Sequence, residues 1–110
     1  MKEYKPFKSG KVRELYDLGD SLVMVCTDRI SAFDSILKTP ISQKGAVLNK
    51  MSEFWFDFTK DIVPNHMLST DTHDMPEFFQ KPEFTGNSMK TLKLNMIPVE
   101  CIVRGYITGS

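Results

Sequence analysis

The chain has 110 residues, 41% of them apolar, with 14 basic side chains against 14 acidic ones. That length bounds it to one domain, and that apolar share supports a folded core rather than disorder. The balanced charge supplies no basic block for a nucleic-acid backbone, and no apolar run approaches the roughly 20 residues of a membrane span, so neither partner is expected.

The first residues, Met1 to Pro6, lack the apolar stretch of a secretory signal, which points to the cytoplasm. Lys11 to Leu18 alternates, with Val12, Glu14 and Tyr16 on one face and Lys11, Arg13, Leu15 and Asp17 on the other. Gly19-Asp20 reads as a turn, and Leu22 to Thr27 is apolar on both faces, as an interior strand is. Together they predict an antiparallel hairpin.

The spacing of Val47, Leu48, Met51, Phe54, Trp55 and Phe58 predicts a helix over 45–60 that ends before Pro64. That stripe is expected to pack on the sheet as core, because a sheet needs a covering helix. The stretch 65–88 holds Pro76, Pro82, Gly86 and both histidines, His66 and His73, and reads as an exposed loop. Thr72-His73-Asp74 offers too few ligands for a metal, so His73 is expected to face solvent or bond locally. Met89–Leu94 and Pro98–Arg104 read as two more strands. Cys26 and Cys101 lie in apolar runs and read as reduced core residues. The expected fold class is α+β, an antiparallel sheet covered by one long helix.

Four short segments carry chemistry. Ser9-Gly10-Lys11-Val12-Arg13 lets backbone approach a ligand and turns two cations to one side, suited to polyphosphate, although it is not a Walker A loop. Thr27 to Asp34 follows a buried strand, where Ser31 and Asp34 are placed to bond a polar substrate or simply to cap a turn. Lys44 stands beside a helix N-terminus, which is unfavourable for a cation unless an anion binds there too. Arg104, with its bidentate fork, is followed six residues later by Gly109-Ser110 at the chain end, which reads as an anion site cut in the middle. On a strand, Glu100 would lie about 13 Å from Arg104, so that cation is left for an external partner.

In this order the segments resemble the phosphoribosylaminoimidazole-succinocarboxamide synthase (SAICAR synthetase) family. The resemblance rests on Gly10 to Tyr16, Thr27 to Asp34, Lys44-Gly45 with Ser52 to Phe56, and Ile97 to Ser110. It implies that residues 1–110 are the N-terminal nucleotide-binding lobe, truncated at the start of the substrate-binding part and inactive alone. It implies ATP-dependent joining of L-aspartate to carboxyaminoimidazole ribonucleotide, with Mg2+ held by residues downstream of this segment. Lys11, Val12 and Arg13 would cover the ATP phosphates, with Arg13 standing where many members have Lys. Leu92 and Met96 would flank the adenine, and Arg104 and Ser110 would grip the ribose phosphate. Ser31, Asp34 and Lys44 would stand near the reacting groups. The residues alone also accommodate a kinase-like ATP-binding lobe, or a non-enzymatic binding module using the Met- and Phe-rich helix as an exposed partner surface. A homo-oligomer is left open.

Overall fold

The computed structural model describes residues 3–109. Five strands form an antiparallel sheet in the order β1-β2-β3-β7-β6: β1 Lys8–Ser9, β2 Arg13–Asp17, β3 Ser21–Cys26, β6 Met67–Ser69 and β7 Ser88–Leu92. A separate two-stranded ribbon pairs β4, Ser31–Ala32, with β5, Ser35–Ile36. The one α-helix among the described residues is α1, Lys44–Phe58.

The apolar run at Leu22 to Cys26 takes the central position, as a strand with little polar surface must. Its partners are in register, Arg13 with Cys26 and Asp17 with Leu22 on one side, Leu22 with Thr91 and Val25 with Ser88 on the other. Alternation then aims Tyr16, Val23 and Val25 into one core, where they meet Met75, Phe79 and Phe84. Phe79 is fully buried, and its ring meets Tyr16 edge-on at 5.0 Å and Phe84 at 5.3 Å. Burying such a side chain stabilises the fold by roughly 1.5–3 kcal/mol. Burial also raises the Tyr16 phenol above its ordinary value, with smaller contributions from the Glu14 and Glu83 charges.

The stretch 65–88 is therefore not merely an exposed loop. It contributes edge strand β6 and three short 3-10 turns, at Thr72–Asp74, Glu77–Gln80 and Pro82–Phe84, which deliver Met75, Phe79 and Phe84 to the core. Such turns have no extended apolar period, so Pro76 and Pro82 read as breakers. His73 is exposed and bonds locally, its N–H and ring to Asp71.

Helix α1 packs against β3 and β7, but with the opposite face from the one expected. Gly45 and Asn49 are buried, with Ser52 and Phe56 half-buried on the same i, i+4, i+7, i+11 line. Asn49 donates to the carbonyls of Gly86 (3.1 Å) and Ser88 (3.2 Å). The large stripe turns outward: Phe54, Trp55 and Phe58 are 56%, 54% and 65% exposed. A glycine permits the close approach that large side chains would prevent.

Two further expectations are corrected. Pro98–Arg104 forms no strand: the chain bends at Pro98 and Val99, where the Val99 N–H donates to the Ile97 carbonyl at 2.7 Å, and no ladder bond joins this segment to the sheet among the described residues. Cys101, on that segment, is exposed, whereas Cys26 is buried. No described helix is long and apolar enough to cross a membrane.

Candidate functional site

Three loops meet where β3 ends. Thr27 donates to the Val12 carbonyl twice, from its backbone N–H at 2.9 Å and from Oγ1 at 2.8 Å. Arg29 reaches the same loop: Nε donates to the Lys11 carbonyl at 3.0 Å and Nη2 to the Gly10 carbonyl at 3.2 Å. Its Nη2 also pairs with Glu14 Oε1 at 2.8 Å, in a half-buried setting. All three carbonyls of Gly10 to Val12 are thus turned toward the protein. The N–H groups of Lys11 and Val12 take no acceptor among the described residues.

Lys11 forms an ion pair with Asp34 across this junction, and its hydrogen bond holds the Asp34 carboxyl below the usual carboxylate range. Asp34 sits at the tip of the β4–β5 ribbon, where Phe33 and Asp34 both have positive φ, 49° and 65°, as a two-residue hairpin turn requires. Ser31, in β4, is exposed. Arg13 parts from Lys11: it borders a groove with Leu48, Met51 and Trp55 on α1. The two cations do not share a target in this structure.

The N-terminus of α1 already has its anion. Asp28 accepts from the N–H groups of Gln43 (3.2 Å) and Gly45 (2.8 Å). A carboxylate there satisfies free N–H groups and favours the helix dipole. Lys44, the first helical residue, donates to the Arg29 carbonyl at 2.8 Å. Its place needs no external anion. Asp28 and Arg29, not singled out from the sequence, are the residues that tie these loops together.

On the sheet face away from the aromatic core lies a cavity of about 350 Å³. Phe7, Leu15, Leu22, Met24, Leu92 and Met96 give it an apolar wall, so the two residues assigned to the adenine do converge. Lys8, Asp17, His66 and Lys93 add polar groups to that wall. Lys93 pairs with Asp17 at 2.7 Å and, with the Gly19 N–H, holds that carboxyl low. His66 was hidden in the breaker-rich stretch; its carbonyl accepts from the Leu92 N–H at 2.8 Å and its ring packs edge-on to Phe56. The hairpin β1–β2 flanks this cavity, and the loop Gly10 to Val12 is its tip.

Arg104 lies on the exposed segment after β7, and its side chain borders Gly109. A Cβ built on Gly109, whose φ is +79°, would lie 3.7 Å from Arg104 Nη2. Arg104 therefore borders the residue before Ser110, and Ser110 itself lies outside the described residues. Among the described residues no three His, Cys, Asp or Glu side chains converge.

Comparison with known proteins agrees with this arrangement. The pattern of the SAICAR synthetase family matches residues 6–110. The phosphoribosylaminoimidazole-succinocarboxamide synthase of Lachnospira eligens is 68% identical over 101 residues, 92% of this chain and 34% of that protein. The enzyme of the same name from Geobacter sulfurreducens is 55% identical over 103 residues, 92% of this chain and 35% of that one. A SAICAR synthase structure from Saccharomyces cerevisiae, complexed with SAICAR, superposes with a TM-score of 0.86 at 39% identity, covering 96% of this chain and 39% of that one. The chain spans about a third of the length of these curated relatives. The exposed apolar face of α1 does not by itself identify a free-standing binding module. The matched loops, their order and the superposed sheet place this chain in the SAICAR synthetase family.

Proposed function

We propose that this chain is the nucleotide-binding lobe, with part of the substrate site, of a cytoplasmic ATP-dependent ligase that joins L-aspartate to carboxyaminoimidazole ribonucleotide. The observation that carries the reading is the apolar cavity holding Leu92 and Met96 beside a hairpin whose tip offers two unpaired N–H groups and Lys11. Adenine would enter the cavity, with the phosphates at Lys11 and Val12. Arg13 borders the helix groove, so its contribution to phosphate is indirect. Arg104 and Ser110 would take the ribose phosphate, by a bidentate fork and a hydroxyl. Ser31, Asp34 and Lys44 surround the junction at which the imidazole carboxylate and aspartate would meet.

The chemistry needs two displacements. A carboxylate oxygen attacks the γ-phosphorus and ADP leaves, turning a poor electrophile into an acyl phosphate. The aspartate amine then attacks the acyl carbon, phosphate leaves, and the nitrogen gives up a proton to form the amide. The protein's part is positioning and stabilising charge.

Calorimetry on the full-length enzyme bearing this segment tests the assignment. Lys11→Ala should weaken ATP binding tenfold to a hundredfold, the value of a charge-assisted phosphate contact of about 1.5–3 kcal/mol, and leave the ribonucleotide unaffected. Arg104→Ala should do the reverse. Unchanged ATP affinity in the first variant would overturn the nucleotide assignment.

A further inference from the structure

We infer that Arg29 is a positioning residue for the nucleotide phosphates, acting through the backbone of Gly10 to Val12 rather than by touching the ligand. The inference rests on the nucleotide-binding reading above.

A trans peptide is planar, and its C=O and N–H point in opposite directions. The Gly10 carbonyl shares a peptide with the Lys11 N–H, and the Lys11 carbonyl with the Val12 N–H. Arg29 holds both of these carbonyls, at 3.2 and 3.0 Å. Drawing them inward turns the two N–H groups outward, and these are the two that find no acceptor among the described residues. Successive outward N–H groups make a concavity that binds anions.

The geometry suits arginine. One planar fork serves the Gly10 carbonyl, the Lys11 carbonyl and Glu14 Oε1 at once. A lysine ammonium is a single point of charge on a flexible stem and cannot hold three acceptors in that spread. Glu14 keeps the guanidinium in place, and Thr27 fixes the next carbonyl, Val12, from its N–H and Oγ1. The Nε and Nη2 donors of Arg29 are committed to the loop and to Glu14, so the guanidinium is fixed before phosphate arrives.

The test uses the full-length enzyme with Arg29→Lys, Thr27→Val and Lys11→Ala. Arg29→Lys keeps the charge but loses the fork, and is expected to raise KM for ATP about tenfold while kcat changes less than threefold and KM for the ribonucleotide stays constant. Thr27→Val, which keeps the backbone bond to Val12, should raise KM for ATP about threefold. In protein labelled with 15N-Lys and 15N-Val, a non-hydrolysable ATP analogue should shift the Lys11 and Val12 amide signals in the native enzyme. In Arg29→Lys those shifts should need about tenfold more analogue. If Lys11→Ala weakens ATP binding while Arg29→Lys and Thr27→Val leave both KM and the amide shifts native, the inference falls and the nucleotide reading stands. If Arg29→Lys weakens all substrates alike and lowers the melting temperature, Arg29 is structural only and the inference falls. If Lys11→Ala does not weaken ATP, the nucleotide reading falls first.

Discussion

Two aromatic clusters in this chain have similar composition and opposite surroundings. Tyr16, Phe78, Phe79 and Phe84 meet against the sheet with ring centroids 5.0–6.1 Å apart, and three of the four are buried. Phe54, Trp55 and Phe58 meet on α1 with centroids 5.0–5.9 Å apart, and each is more than half exposed. Three of the inner four, Phe78, Phe79 and Phe84, come from a stretch of broken 3-10 turns, and the outer cluster comes from the most regular helical pattern in the sequence. Periodicity reports which side chains share a face. Which face meets the sheet is decided by close approach, and a glycine settles that here.

The largest expected contrast is in stability. Phe79→Ala in this chain should lose about 3–5 kcal/mol, as truncation of a fully buried aromatic leaves a cavity. Trp55→Ala should lose about 1 kcal/mol or less, since its ring already meets solvent. Urea denaturation of the two variants checks this, and equal losses would erase the distinction between the clusters.

The same contrast explains what could be read from residues alone. Strands β2, β3 and β7 were legible because alternation and a continuous apolar run are local patterns. Helix α1 was legible by its 3.6-residue period, but its orientation was not, because Gly45 and Asn49 look unremarkable without the Cys26 and Gly86 carbonyls that they meet. The core role of Phe79 was hidden by neighbouring prolines. Around the candidate site, the loops bearing Lys11, Asp34 and Lys44 were singled out by residue type, and Leu92 and Met96 by resemblance. Asp28 and Arg29 were not identifiable. Their bonds join backbone groups 15–19 residues away, and no local spacing encodes such contacts.

A substitution on α1 sharpens the inward side of the comparison. A Cβ at Gly45 would come within 2.1 Å of the Cys26 carbonyl oxygen and 2.8 Å of its carbon, both backbone atoms of the central strand's end. Alanine is the better helix former by about 1 kcal/mol, so propensity alone favours Gly45→Ala. Overpacking should win and give a net loss of about 1–3 kcal/mol. Lys50→Ala, on the exposed side, should change stability by less than about 0.5 kcal/mol. Thermal melts of the pair give the result; a stabilised Gly45→Ala would mean that the helix does not start against β3.

The smallest effect concerns the exposed Lys11–Asp34 pair, which is held by charge where the inner cluster is held by burial. The Lys11 hydrogen bond and charge keep the Asp34 carboxyl below its ordinary 3.8. A carboxyl lowered by folding contributes fully above its unfolded value, and the contribution fades as pH falls through the lower folded value. Both side chains are exposed, so salt should screen the pair and the melting temperature should barely respond. The sensitive measurement is the Asp34 side-chain carbonyl shift followed by NMR from pH 6 downward. Its midpoint should lie below 3.8 in the native chain and return to the ordinary value in Lys11→Ala. A nucleotide phosphate at Lys11 would compete with Asp34 for the same ammonium, so in the full-length enzyme saturating ATP should move that midpoint up toward the Lys11→Ala value. A midpoint indifferent to both changes would mean that Lys11 and Asp34 do not meet in solution.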